Sequence, residues 1–248
     1  MTELREGTID KETEESVDPR LEDYTAEFLK RLAEEFPEFT PEQRIKAMKL
    51  SREFALSKIK DEDAADNDKL TSLLSKQGFY RNVDLKLKQH HRETHGQVEK
   101  TGQVQTAILL IDMDALKMVN DTYGHLIGDE VLSAIGQWIK TSFRPSDLVA
   151  RFGGDEFAAL LDGVSLENAI EVAERIRTDF TQSMKDLFPD LKWPKTVSIG
   201  VAKMPAVTPE QLESEPDRVT LIKQSIDRAD SALYKGAKKV GKDRIGVM

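Results

Sequence analysis

Leu21, Tyr24, Phe28, Leu32 and Phe36 recur at three- and four-residue spacing, which predicts an amphipathic helix from Leu21 to Phe36. A turn and a second helix should follow. Thr40 can serve as N-cap, Pro41 takes the first helical position and Gln43 completes a capping box. This helix is expected to reach about Ile59, with Asp61 to Asp68 as an acidic linker. Residues 1–19 are polar and acidic, with little to bury, and read as a disordered tail. Residues 20–67 thus read as a helical region ahead of a main domain at 68–248.

In the main domain the pattern alternates between helical and strand periods. A helix is predicted from Leu70 to about His95 and a strand from Gln105 to Ile111. A helix from Gly128 to Phe143 places Val131, Leu132, Ile135, Trp138 and Ile139 on one face. The apolar runs Leu148 to Ala150 and Ala158 to Leu161 then flank Gly153-Gly154. This is a hairpin signal, because glycine reaches positive φ without steric cost. A helix from Leu166 to Phe180, a strand from Thr196 to Ala202, a helix from Arg218 to Lys235 and a strand from Arg244 to Val247 complete the chain. The central order β-α-β-β-α-β predicts an α+β, ferredoxin-like domain with a central antiparallel sheet flanked by helices, behind an N-terminal α-helical hairpin. If its two inner strands pair, Asp112 comes beside Asp155 and Glu156.

Composition narrows the ligand. The chain has 248 residues, a net charge of -9 and no cysteine. The acidic balance argues against general binding to a nucleic-acid polymer, and the missing thiols exclude disulfides and thiolate metal sites. The acidic start lacks an apolar signal region, and the longest apolar run, Ala107 to Ile111, is too short to span a bilayer. A soluble, cytoplasmic protein without a membrane partner is expected.

The Gly153-Gly154 turn leaves room for a phosphate or ribose to approach the backbone. Asp112, Asp155 and Glu156 supply oxygen ligands suited to Mg²⁺ or Mn²⁺. Carboxylates converging from two segments beside such a turn fit metal-dependent nucleotidyl transfer. Taken alone, the turn also reads as solvated and Asp112 as a strand-end cap or salt-bridge partner. His90, His91 and His95 invite a metal site, His91 and His95 standing four apart on a helix, but without a nearby acidic or thiol partner a solvated face is the better reading.

Further segments carry a resemblance. They are Asp68-Lys69-Leu70-Thr71 with Phe79, Asp112 through Asp121, Gly124-His125, Gly128-Asp129, Arg144-Pro145-Ser146-Asp147, Arg151 through Phe157, Ser198 through Val201, and Ala229 through Tyr234. In order and nearly all spacing they resemble the GGDEF-domain diguanylate cyclases. The resemblance implies a palm-type nucleotide cyclase that condenses two GTP into cyclic di-GMP and releases two pyrophosphates, working as a homodimer. It implies Asp112, the Met113 carbonyl and Asp155 as metal ligands, with Glu156 in support and Asp155 as proton acceptor. By the same resemblance, Lys117 faces phosphate, Asn120 and Asp129 hold guanine, and His125 lies near substrate, a packed loop histidine being the alternative. Gly153 and Gly154 border the nucleotide, and Lys238 and Lys242 contact the triphosphate. Arg144 and Asp147 match an RxxD inhibitory site for the product, with Arg175 as a secondary contact.

The chain departs from the family's pattern in places. Leu116 replaces an aromatic residue, while Ser72, Ser75 and Gln77 stand where glycine, asparagine and arginine are common. The segment after Tyr234 is one residue longer, and Lys242 replaces arginine. The helical hairpin could dimerise or regulate the cyclase, or simply pack on its own domain. Two other readings are a catalytically silent domain that binds GTP or cyclic di-GMP and a cyclase that also accepts ATP, against which Asp129 speaks.

Overall fold

The computed structural model describes residues 18–94, 105–205 and 209–248. Residues 1–17 of the tail expected at 1–19, and His95, lie outside the described residues, as does the side chain of His91, whereas Asp18 and Pro19 cap and open the first helix instead of belonging to a tail. The described residues fall into two compact units, divided between Ala64 and Ala65.

The first unit is a helical hairpin of α1 (Pro19–Glu35) and α2 (Pro41–Ala65). Asp18 caps α1 by accepting a 2.9 Å hydrogen bond from the Arg20 amide. At the start of α2 the Thr40 amide donates to Gln43 Oε1 (2.8 Å) and the Gln43 amide to Thr40 Oγ1 (3.3 Å). This is the expected capping box. α2 continues beyond Ile59 through most of the stretch read as a linker. No proline or glycine interrupts Asp61 to Ala65, and alanine favours helix. The Lys58 ammonium lies 3.9 Å from the centre of the Tyr24 ring, tying the late part of α2 to the early part of α1. Phe28, Phe36, Ile45, Phe54 and Leu56 are exposed.

The second unit is built on a six-stranded sheet. Its strands are β1 (Leu74–Ser75), β2 (Thr106–Met113), β3 (Leu148–Gly153), β4 (Glu156–Asp162), β5 (Val197–Lys203) and β6 (Ile245–Val247), in the spatial order β1-β3-β4-β2-β5-β6. The four central strands run antiparallel in the split βαβ arrangement, as expected. The short edge strands add parallel pairs, β1 with β3 and β5 with β6, so the sheet as a whole is mixed.

Helices cover both faces. On one lie α4 (Leu116–Tyr123), α5 (His125–Ser142) and α6 (Leu166–Leu187), packed on Leu109, Ile111 and Met113. On the other, α3 (Lys76–Thr94) and α8 (Glu215–Ala232) pack on Ile108 and Leu110. A short α7 (Pro209–Glu213) precedes α8. With both faces covered, all eight residues of β2 are buried. Each fully buried large aliphatic side chain contributes roughly 1.5–3 kcal/mol, so β2 is a rigid platform for whatever its end carries.

Several helical elements depart from the sequence reading, α3 among them: it begins at Lys76 rather than after Leu70, because Leu74 and Ser75 form the edge strand β1. α4 was not expected, and α5 begins at His125 rather than Gly128. Ala115, at φ 70°, breaks the chain out of β2 into α4, and Gly124, at φ 87°, ends α4 and turns the chain into α5. α6 continues past Phe180 to Leu187, with Met184 extending its buried stripe. α8 passes into a π-helical segment, Leu233–Lys238. A π turn takes up extra chain without breaking the helix, and it falls where the sequence reading expects an additional residue, after Tyr234. The segment lies close on the sheet: a Cβ on Gly200 would stand 2.1 Å from the Ala229 carbonyl oxygen, and one on Gly246 1.9 Å from that of Ala232.

Candidate functional site

The β3–β4 hairpin and the end of β2 meet as pairing of the inner strands requires. Asp112 stands opposite Glu156 in the β2–β4 register, and the Met113 amide donates a 3.0 Å hydrogen bond to the Asp155 carbonyl. Between β3 and β4 the register shifts at Arg151 and Gly153, and Gly153 and Gly154 take φ of 143° and 54°. Both glycines are exposed at the tip.

Arg151 braces this turn. Its Nε and Nη2 donate to the Gly154 carbonyl at 3.1 and 2.9 Å, and its Nη1 reaches both Asp68 carboxylate oxygens at 3.4 Å. Asp68 also accepts from the Thr71 amide and hydroxyl at 2.8 and 2.7 Å. Burial raises the Asp68 carboxyl, but the Thr71 hydrogen bonds and the Arg151 charge outweigh it and leave the group below the usual carboxylate range. The loop around Asp68 and the glycine turn are thus joined through one guanidinium.

Asp112 is buried, and its carboxylate accepts from the Lys238 ammonium. Burial pushes this carboxyl up to about 6, even though the Lys238 hydrogen bond lowers it, and the neighbouring Asp155 raises it further. A carboxylate held this way, beside a second carboxylate and with a lysine ammonium as counter-ion, suits a hard divalent cation. The side chains of Asp112 and Asp155 and the main-chain oxygen of Met113 are the oxygen donors that the sequence reading expects here, at the meeting of the β2 end and the glycine turn. Among the described residues no group of three or more His, Cys, Asp or Glu side chains gathers to hold a metal alone, so such a set needs the main-chain oxygen or substrate. Glu156 is exposed and also lines a cleft of about 210 Å³ with Tyr80, Phe152, Asp227 and Asp230.

The expected base-binding residues lie on the helices that follow β2. Lys117 is exposed in the first turn of α4, and Asn120 is half-buried further along it. The Asn120 side chain lies against Gly128 so closely that a Cβ on the glycine would come within 1.9 Å of Asn120 Oδ1. Asp129, the next residue, is exposed, so the α4–α5 turn brings Asn120 beside the segment carrying Asp129. His125 opens α5 and is exposed, in contrast to the packed alternative.

Lys238 reaches Asp112, while Lys242 Nζ lies 3.9 Å from Asp114 Oδ1. Asp114, to which the sequence reading assigned no role, is fully buried and accepts from Thr196 Oγ1 (2.8 Å), Ser198 Oγ (3.1 Å) and the Asp243 amide (3.2 Å). Its placement two residues after Asp112 at the strand end was the available signal, since that spacing repeats a face of a strand.

The remaining candidates form a separate surface. The Arg144 amide donates to Asp147 Oδ2 (3.0 Å), and Arg175 Nη2 donates to the Ser142 carbonyl (3.1 Å), so α6 brings Arg175 to the turn that carries the RxxD residues. The Asp147 carboxylate also accepts from the Asp162 amide at 3.3 Å. Asp147 precedes β3, whose other end holds Gly153, so these residues lie about 20 Å from the glycine turn by strand rise. His90 departs from the expected solvated face: it is half-buried, with Nε2 3.4 Å from Asp162 Oδ1, an acidic neighbour that strand β4 brings from far along the chain.

With that geometry in view, the family described as diguanylate cyclase, GGDEF domain, matches residues 65–244. Diguanylate cyclase DgcM of Escherichia coli is 37% identical over 185 residues, covering 74% of this chain and 38% of the relative. The chain spans about two-fifths of the length of the curated relatives it matches first. Among solved structures, the GGDEF domain of DgcB from Caulobacter crescentus, in complex with c-di-GMP, is 26% identical with a TM-score of 0.54. That match covers 74% of this chain and 93% of the other. The GGDEF domain of TpbB, or YfiN, from Pseudomonas aeruginosa is 33% identical with a TM-score of 0.52, covering 73% and 93%. Among the described residues no helix is long and apolar enough to cross a membrane.

Proposed function

This chain belongs to the diguanylate cyclase, GGDEF domain family, and on that premise we propose that it condenses two GTP into cyclic di-GMP with release of two pyrophosphates. The observation that carries the reading is the junction of Asp112, Asp155 and Glu156 at the paired ends of β2 and β4, beside an exposed Gly-Gly turn. In each half-reaction the 3′-hydroxyl of one nucleotide attacks the α-phosphorus of the other. A new oxygen–phosphorus bond forms, the bond to the β-phosphate oxygen breaks, and the hydroxyl proton passes to the Asp155 carboxylate.

A divalent cation, Mg²⁺ or Mn²⁺, held by Asp112, the Met113 carbonyl and Asp155 with Glu156 in support, supplies neutralising charge to the triphosphate and acidifies the hydroxyl. Asn120 and Asp129 select guanine, since a carboxylate accepts from its N1–H and exocyclic amine but would meet the lone pair of adenine N1. Lys117 and Lys238 place positive charge on the phosphates, with Lys242 as a point charge where an arginine would present a fork. Lys238 pairs with Asp112 in this structure, so its role toward the phosphates would require that ion pair to give way. His125 projects near the base site.

Each domain holds one GTP, so two copies face each other across a two-fold axis, and the hairpin of residues 20–67 supports their association through its exposed apolar side chains. The catalytic domain comprises residues 68–248. Product binding at Arg144, Asp147 and Arg175 slows the enzyme.

Incubation with Mg²⁺ and GTP, followed by chromatography and mass analysis, tests the activity. Cyclic di-GMP should form, and Asp155→Ala should form none. Binding of GTP without product, at concentrations where the chain is dimeric, would instead favour a silent signalling domain.

A further inference from the structure

We propose that Asp114 and Arg177 are positioning residues that fix the segment 241–244, and with it Lys242, against the cation-binding end of β2. The inference rests on the GTP reading above and deepens it, because it concerns how the triphosphate is gripped.

A fully buried carboxylate is costly unless its oxygens are satisfied. Asp114 is fully buried, and its partners come from two places. Thr196 and Ser198 belong to the entry and body of β5, whereas the Asp243 amide and the Lys242 ammonium belong to the chain just before β6. The carboxylate thus joins the last turn of the chain to the strand end that carries Asp112, two residues away. Its own amide donates 2.9 Å to the Thr196 carbonyl, which fixes the main chain from which the carboxylate projects.

The same turn is held from outside. Arg177 on α6 donates from Nη1 to Asp243 Oδ1 at 2.5 Å, while Nε and Nη2 engage both oxygens of Glu174 at 3.0 and 2.5 Å. The hydrogen bonds to Glu174 and Asp243 raise the guanidinium pKa above its already high ordinary value. Between these two anchors Asp243 sits at φ 59°, a left-handed conformation that a non-glycine residue adopts at some cost. Its amide is fixed by Asp114 and its side chain by Arg177, so the strained residue is held on both sides. Lys242, the residue before it, is mostly exposed at its tip. The main chain beside it is therefore anchored, while its ammonium, held among the described residues only by the 3.9 Å contact to Asp114, can turn to a phosphate.

A positioning role predicts a loss confined to the phosphates. The probes are 3′-deoxy-GTP, which lacks the attacking hydroxyl and cannot turn over, and GMP, which keeps the base and ribose without the triphosphate. Both are titrated by calorimetry against the full chain with Mg²⁺. Arg177→Met and Asp114→Asn should weaken 3′-deoxy-GTP by about tenfold, the scale of one lost charged contact, while GMP changes by less than about twofold. Arg177→Lys should recover part of the loss. The double variant Arg177→Met with Asp243→Asn should be no worse than the weaker single variant, since both act through one contact.

If Asp114→Asn does not fold, the Arg177 and Asp243 variants carry the test. Equal weakening of both ligands, or unchanged 3′-deoxy-GTP binding by a folded Arg177→Met protein, would overturn the positioning role. A wild-type chain that binds GMP as tightly as 3′-deoxy-GTP would overturn the underlying GTP reading, and this inference with it.

Discussion

The Met113 amide donates a 3.0 Å hydrogen bond to the Asp155 carbonyl, stitching the glycine turn to the end of β2 beyond the last paired residues of the two strands. Two oxygen sources distant in sequence are therefore fixed by main-chain geometry. Arg151 completes the fixation from the outer side through the Gly154 carbonyl and Asp68. Arg151→Met should leave the fold intact and lower kcat by about ten- to a hundredfold, because small displacements of reacting groups cost that much. Steady-state kinetics beside a thermal melt check this; an unchanged kcat would mean the turn holds itself.

Asp112 makes the stability of the second unit depend on pH. Its carboxyl titrates at about 6 in the folded chain against 3.8 in the reference state. The folded form therefore binds the proton more tightly, and stability falls as pH rises between those values, remaining lower above them. Asp112→Asn removes this liability. The variant should be more stable than wild type by about 1–3 kcal/mol at pH 8, with the difference shrinking toward pH 4. Urea denaturation at the two pH values measures it. A variant less stable at pH 8 than at pH 4, relative to wild type, would show that the Lys238 pair outweighs burial.

Base selection provides a further prediction. Asp129→Asn replaces a pure acceptor with an amide that can meet guanine N1–H only in one orientation. Affinity for GTP should fall by about 10–100-fold, the scale of a lost charged hydrogen bond, with little change in preference for the triphosphate over GMP. Competition binding with GTP, ATP and GMP separates the two effects.

Close approach of the last helix to the sheet can be tested through Gly246. A methyl there would press on the Ala232 carbonyl, which belongs to a helix packed on β5 and cannot retreat freely. Gly246→Ala should destabilise the chain by about 1–3 kcal/mol, as overpacking does, and lower the midpoint of chemical unfolding.

The split βαβ order was legible because periodicity marks the strands and long helices strongly, and the β2–β4 pairing follows from topology. Asp112, Asp155 and Glu156 converge for that reason. α4 was not legible, since eight residues give little more than two turns of pattern and its start depends on Ala115 adopting a left-handed conformation. The π turn was visible only as an extra residue, because its geometry arises from packing against β5 and β6. Asp114 and Arg177 carry no role in the sequence reading for another reason: the spacing from Asp112 marks the face on which Asp114 lies, but Thr196, Ser198 and Asp243, which these two side chains hold, are far along the chain. The continuation of α2 through Asp61 to Ala65 shows the opposite error, in which charge was read as a linker although the residues suit a helix.

The central claim is that two copies of this site, each completing half of a reaction, make one cyclic product. Initial rates of cyclic di-GMP formation, measured across a dilution series with molar mass determined on the same samples, test it most directly. Activity per chain should fall in step with the dimer fraction, with two pyrophosphates released per cyclic product. Constant activity per chain in a monomeric sample, or no cyclic di-GMP from a dimeric one, would contradict the account.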